Sequence, residues 1–197
     1  RLHVSRPTAR QALQRLVDRG LLTRRRGVGT IVSPRHVHRP MELTSLMRDL
    51  VNAGHKVHTT IQRYEARPAN AQEADVLKIT EGTLIVHIER TRFANDEPIA
   101  VLTNFIPTDI APTMQELESA SLYDLMRERG VTLASARQVI GARSATTKEA
   151  KLLSEHRGAA LLTTQRTTYD PSGRIVEYGD HIYRASRYSF EASLFAQ

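Results

Sequence analysis

Thr83-Leu84-Ile85-Val86-His87-Ile88-Glu89-Arg90-Thr91-Arg92-Phe93 and Pro98-Ile99-Ala100-Val101-Leu102-Thr103-Asn104-Phe105-Ile106, separated by Asn95-Asp96-Glu97, read as two β-strands closed by a tight turn. Toward the C-terminus, Leu122 opens a helix that runs to residue 129 and stops at Gly130, a strand runs near 131–142, and a helix covers 147–155. Two last strands, 160–169 and 174–183, meet at Asp170-Pro171-Ser172-Gly173. Toward the N-terminus, Asn70 caps a helix whose buried set is Ala71, Ala74, Val76 and Leu77; a strand precedes it over 55–66. Before that strand, Leu43, Leu46, Met47, Leu50 and Val51 mark a short amphipathic helix ending at Gly54. Strands joined mostly as hairpins, with helices between them, predict an α+β domain around an antiparallel sheet over residues 43–197.

Ahead of it, Ser33-Pro34-Arg35-His36-Val37-His38-Arg39-Pro40 carries two prolines and no periodicity, so residues 34–42 are expected to link two domains. His36 and His38 lack an acidic or cysteine partner nearby and read as solvated side chains rather than metal ligands. Neither a metal nor a cofactor is called for.

Residues 1–33 form a different kind of unit. Ser5 stands as the N-cap of a helix with Pro7 in its first turn, where a missing N–H costs nothing. Ala9, Ala12, Leu13, Leu16 and Val17 make one apolar face, and Gly20 supplies a stop. The leading turn and opposite face hold Arg6, Thr8, Arg10, Gln11, Gln14 and Arg15. Arginine pairs bidentately with guanine and glutamine with adenine, while hydroxyls at a helix N-terminus suit phosphates. Leu21-Leu22-Thr23-Arg24-Arg25 and Thr30-Ile31-Val32 then flank Arg26-Gly27-Val28-Gly29, a hairpin with a basic tip. Helix, short turn and basic hairpin are a recognition helix followed by a wing.

Charge agrees with this division. The net +7 is concentrated: residues 1–40 contain ten arginines and one acid, Asp18, for +9, and the remainder nets −2. A basic segment on a near-neutral body is the electrostatic footprint of nucleic-acid binding. The chain has no cysteine, which excludes disulfides and thiolate chemistry; with no long apolar run or signal peptide, a cytoplasmic protein is expected.

Val4-Ser5-Arg6-Pro7-Thr8-Ala9-Arg10-Gln11-Ala12-Leu13, Gly20-Leu21-Leu22 and Arg25-Arg26-Gly27-Val28-Gly29-Thr30 resemble the winged helix-turn-helix of GntR-family repressors. The resemblance implies operator contacts by Ser5, Arg6, Pro7, Thr8 and Arg10 and by Arg26 and Gly27 on the wing. The helices that precede a recognition helix in that motif have no counterpart here, which predicts a partial module from a longer protein and weak DNA binding by residues 1–197 alone. Residues 45–190 resemble the UTRA effector domain of HutC-type members, a fold related to chorismate lyase, through Gly82, Arg90 to Pro98, Ser121-Leu122-Tyr123, Glu177-Tyr178 and Tyr183. It implies a ligand cavity lined by Arg90, Arg92, Ser121, Tyr123, Glu177 and Tyr183, a homodimer, and a repressor whose operator affinity follows a small anionic metabolite, phosphate or carboxylate.

Two residues apart on one strand, Arg90 and Arg92 share a face and suit such an anion; Ser121 at a helix start is a further anion position. Leu102 stands where sugar-sensing members often carry Glu, which implies a ligand with a less polar end than an amino-sugar phosphate. A lyase-like enzyme or a ligand-independent DNA-binding dimer are the alternatives, and no compact catalytic triad, metal cluster or phosphate loop supports the enzyme.

Overall fold

A computed structural model describes residues 5–18, 22–25, 29–32, 37–40 and 43–192. The recognition helix α1 spans Arg6–Asp18. Ser5 caps it, its Oγ accepting the Thr8 N–H at 3.3 Å. β1 (Leu22–Arg25) and β2 (Gly29–Val32) pair antiparallel from Leu22↔Val32 to Arg25↔Gly29, the expected wing. Its tip, with Arg26 and Gly27, lies outside the described residues, as do Gly20, 33–36, 41 and 42. Within the expected linker, β3 (Val37–Pro40) is a strand after all. It pairs in parallel with the last strand of the chain, from Val37↔Tyr188 to Pro40↔Glu191. Four residues leave no alternation to read, and their partner lies far along the chain.

The main body follows: α2 (Leu46–Asn52), β4 (Val57–Pro68), α3 (Ala71–Leu77), β5 (Leu84–Ala94), β6 (Glu97–Pro107), α4 (Met114–Ser119), α5 (Leu122–Glu128), β7 (Ser135–Ser144), α6 (Thr147–Leu152), β8 (Ala160–Tyr169), β9 (Ile175–Arg184) and β10 (Tyr188–Glu191). Six strands form one antiparallel sheet in the order β4-β5-β6-β9-β8-β7. The β5–β6 turn needs only Asn95 and Asp96, at φ 51° and 65°, the double left-handed geometry of a type I′ turn; Glu97 joins the strand opposite Ala94. α4 and β10 were not expected from the sequence. Among the described residues no helix is long and apolar enough to cross a membrane.

Both faces of the sheet are covered. On one, α2, α4 and α5 set Leu46, Leu50, Leu117, Leu122 and Met126 against even-numbered strand residues such as Val86, Ile88, Ala100 and Ile106. On the other, α3 packs Ala74 and Leu77 on Ile85, and α6 packs Ala150 and Leu153 on Val101, Leu161 and Ile182. Arg90 and Arg92 therefore face the α2–α5 side.

Helices α3, α4 and α6 open on the same device. Asn70, Thr113 and Thr146 accept the N–H of Glu73, Glu116 and Glu149, and each carboxylate accepts the N–H of its cap. An arginine completes each box: Arg67, Arg129 and Arg143 donate to those carboxylates at 2.6 Å. The arginine hydrogen bonds hold Glu116 and Glu149 down at about 2. Because these folded-state values lie below the ordinary glutamate range, the stabilisation is present above the unfolded value and is lost as pH falls toward 2. Thermal melts taken downward from pH 5 should show a falling melting temperature, with Glu149→Gln flattening that slope.

Candidate functional site

Directly opposed residues of antiparallel strands share a face, so the register builds rows across the sheet. Arg92, Ala100, Tyr183 and Leu162 form one; Arg90, Leu102, His181 and Thr164 the next; Ile88, Asn104, Gly179 and Arg166 the third. Above these rows sit the first turns of α2 and α5, with Thr44, Ser45 and Met47 from one and Leu122 and Tyr123 from the other. Between roof and sheet is a narrow cleft of about 40 Å³. Arg48 on α2 donates to Asp124 on α5 at 2.7 Å, tying the two halves of the roof together.

A hydrogen-bonded chain runs along the floor. Arg90 Nη2 donates to Asn104 Oδ1 at 2.7 Å, and Asn104 Nδ2 donates to Glu177 Oε1 at 2.6 Å. Thr168 and Tyr123 donate their hydroxyls to Glu177 Oε2 at 2.7 and 3.2 Å. Arg166 is anchored by Gln138 at 2.7 Å and reaches the Tyr123 hydroxyl at 3.5 Å. Arg92 donates to Thr59. Asn104 also lies 3.2 Å from His181 Nε2, and His181 Nδ1 lies 3.3 Å from the Tyr183 hydroxyl.

The chain of bonds does not use every donor. Arg90 and Arg92 are each 2 % exposed, yet Arg90 Nε and Nη1 and Arg92 Nε have no hydrogen-bond partner. Three arginines line the cleft and Glu177 is its one carboxylate, so the wall is net positive. Burial pushes the Arg90 guanidinium down to about 10, against the pull of Glu177, and Arg92 to about 9, where the charge of Arg90 adds to the effect. Both stay protonated at neutral pH. Burial, and then the Glu177 charge, raise the Tyr123 phenol to about 12; burial also raises Glu177. Two buried cations thus turn unused donors toward a wall of net positive charge.

Of the six residues expected around a cavity, Arg90, Arg92, Tyr123, Glu177 and Tyr183 come together here. Ser121 is the N-cap of α5 and is buried with its Oγ unpartnered, but it does not line the cleft. Asn104, Arg166 and His181 were not anticipated, although the alternation Glu177, Gly179, His181, Tyr183 along β9 carried a signal for the last. Leu102 lies on the wall, between Arg90 and His181.

Gly179 is required where it stands. A Cβ there would lie 2.6 Å from both Glu177 Oε1 and His181 Nε2. Gly179→Ala should destabilise the protein by about 1–3 kcal/mol in thermal melts, since Glu177 and His181 would have to shift away from Asn104, to which both are bonded.

At the other end of the chain, Ser5, Pro7, Thr8 and Arg10 are all exposed, while the Arg6 backbone opens α1. Ser5 Oγ and Thr8 Oγ1 lie 2.8 Å apart, so the two hydroxyls present one polar patch at the helix start. Leu13, on the apolar face of α1, is 42 % exposed.

Comparison with known proteins agrees with this division. Residues 52–189 match the UTRA domain, and residues 1–32 match the bacterial regulatory proteins of the gntR family. The transcriptional repressor NagR of Bacillus subtilis is 34 % identical over 190 residues, 95 % of this chain and 78 % of that protein. The histidine utilization repressor of Klebsiella aerogenes is 27 % identical over 95 % of this chain and 78 % of that protein. The crystal structure of PhnF from Mycobacterium smegmatis superposes with a TM-score of 0.86 at 26 % identity, covering 98 % of this chain and 87 % of that one. These relatives are transcriptional regulators, not enzymes. With a gntR-type recognition helix and wing leading into a UTRA sheet, the chain belongs to the GntR family of bacterial transcriptional regulators, in its HutC-type, UTRA-bearing branch.

Proposed function

We propose that the cleft over β5, β6, β8 and β9 binds a small anionic metabolite, phosphate or carboxylate, between Arg90 and Arg92, and that its occupancy resets the operator affinity of a homodimeric repressor. Residues 1–33 are the DNA-reading part and 43–197 the sensing part, with Ser5, Arg6, Pro7, Thr8 and Arg10 facing operator DNA and Arg26 and Gly27 serving the wing. The observation that carries the reading is the pair of buried guanidiniums with three unpartnered nitrogens and one carboxylate among three arginines. An unmade buried hydrogen bond costs about 1–3 kcal/mol, which an entering anion recovers. Tyr123, Glu177 and Tyr183 then complete the walls, and Leu102 offers an apolar surface to the far end of the ligand.

The roof supplies a route to the DNA-binding part. α2 contributes Thr44 to Met47 to the cleft and follows β3, which is clamped to β10, so a shift of α2 on binding is passed to the segment that carries the recognition helix. The test is a thermal-shift screen of inorganic phosphate, phosphorylated sugars and carboxylates. The best ligand should lose its effect in Arg90→Ala, while operator specificity is unchanged. A retained shift in Arg90→Ala and Arg92→Ala sinks the assignment. Glucosamine-6-phosphate should stabilise less than an anion with an apolar end; parity between the two would refute the role given to Leu102.

A further inference from the structure

The opposite face of the sheet carries a second and larger cavity, of about 690 Å³, between α3 and the β7–β8–β9 end of the sheet. That is room for a whole small molecule. The register builds its floor. Arg137, Thr167 and Tyr178 stand directly opposed on β7, β8 and β9, so their side chains form one row on the face turned away from Arg90 and Arg92. Members of such a row are close enough for one ligand to touch all three. Val139 stands two residues along β7 from Arg137 on the same face, and Val76 and Leu84 come in from α3 and the start of β5. Val139 and Leu84, at 51 % and 55 % exposure, are two of the few large apolar side chains left open among the described residues. Gathered around a concavity, such side chains mark a binding surface.

The charges of this cavity balance, with one exception. Lys78 pairs with Asp75 at 2.8 Å, and Arg174 donates to both oxygens of Asp109 at 2.7 and 2.8 Å. Arg137 is exposed and, among the described residues, meets no carboxylate. The hydroxyls of Thr167 and Tyr178, beside it in the row, make no hydrogen bond among the described residues either. A free guanidinium therefore stands at one end of an otherwise neutral and largely apolar trough. We propose that this cavity is a second ligand site, for an organic acid with an apolar body. Arg137 and Thr167 hold its carboxylate, and a ring or alkyl chain lies along Tyr178 between Val139 and Leu84. The site does not depend on the anion reading of the inner cleft, from which the sheet separates it. β7 nevertheless serves both faces, because Gln138, next to Arg137, accepts from Arg166 of the inner cleft at 2.7 Å. Variants on each face are thus needed to tell the two sites apart.

Titration calorimetry and thermal shift on the full chain, with phenylacetate, phenylbutyrate and octanoate as probes, test the proposal. At least one of these acids should bind once per chain. Its affinity should fall roughly tenfold in Arg137→Gln, the loss of one charge-assisted contact. Leu84→Glu, which adds a negative charge at an exposed position on the wall, should weaken it as well, whereas Arg90→Ala should leave it unchanged. Phenylbutyramide, which has the same shape without the charge, should bind more weakly than phenylbutyrate. Loss of binding in Arg90→Ala with none in Arg137→Gln places the acid in the inner cleft and overturns the second site. Equal binding of the acid and its amide overturns the role given to Arg137. If none of the three acids binds at millimolar concentration, the second site is refuted while any response to inorganic phosphate stands.

Discussion

Arg92→Met should raise the melting temperature of the ligand-free protein and at the same time abolish its response to anions. Arg92 is buried at the end of the β5 row, hydrogen-bonded through Nη1 to Thr59, with Nε unpartnered. Desolvation and the nearby Arg90 charge both act against its cation, and no carboxylate acts for it. Methionine keeps most of the unbranched stem, which packs beside Ala100 in the same row, and removes the charge. Replacing poorly compensated buried charge by apolar volume is often stabilising, by about 1–4 kcal/mol. In a chain of this size that is several degrees. The same substitution removes half of the proposed clamp, so added phosphate should no longer shift the melt. Such a trade of stability for function marks a binding residue rather than a structural one. If the variant melts below the parent without ligand, Arg92 is holding the fold together and the clamp reading loses its main support.

Glu177→Ala should do the reverse, costing about 3–5 kcal/mol, on the order of 6–20 °C in melting temperature. Burial alone would favour the neutral acid, but Thr168, Arg166, Asn104 and Tyr123 all favour the carboxylate. Truncation strands three donors at once, from Thr168, Asn104 and Tyr123, and leaves Arg90, Arg92 and Arg166 with no negative charge in the cleft. Glu177→Gln separates these effects: an amide oxygen still accepts hydrogen bonds, so it should lose clearly less than alanine. Scanning calorimetry of the two variants at neutral pH would decide; equal losses would place the effect in the charge and not in the hydrogen bonds.

Much of this arrangement could be read locally. The Ser5 cap, the one-sided helix and the basic hairpin identified the DNA-reading part within thirty-odd residues, because caps, turns and helical periodicity are short-range. The same holds for the β5–β6 hairpin, where Asn95 and Asp96 tolerate positive φ. Alternation along β5 put Arg90 and Arg92 on one face. It could not say which face held the cleft, since β5 and β6 are buried on both sides and Thr91 is as hidden as Arg90. α4 was missed even though Thr113 and Glu116 carry the spacing of a capping box; six residues make too short a helix to show periodicity.

What the sequence by itself determined is the identity of the two parts, the concentration of positive charge in the first forty residues, and the pair of arginines on one strand. Tertiary structure alone decided that these arginines are buried rather than solvated, that Asn104, Arg166 and His181 join them, and that the supposed linker is tied to the end of the chain through β3 and β10. The physical reason is the same in each case. Periodicity fixes which residues of one strand share a face, but strand order and register bring together residues as far apart as Arg90 and Glu177, and they also decide which edge of the sheet is left without a partner.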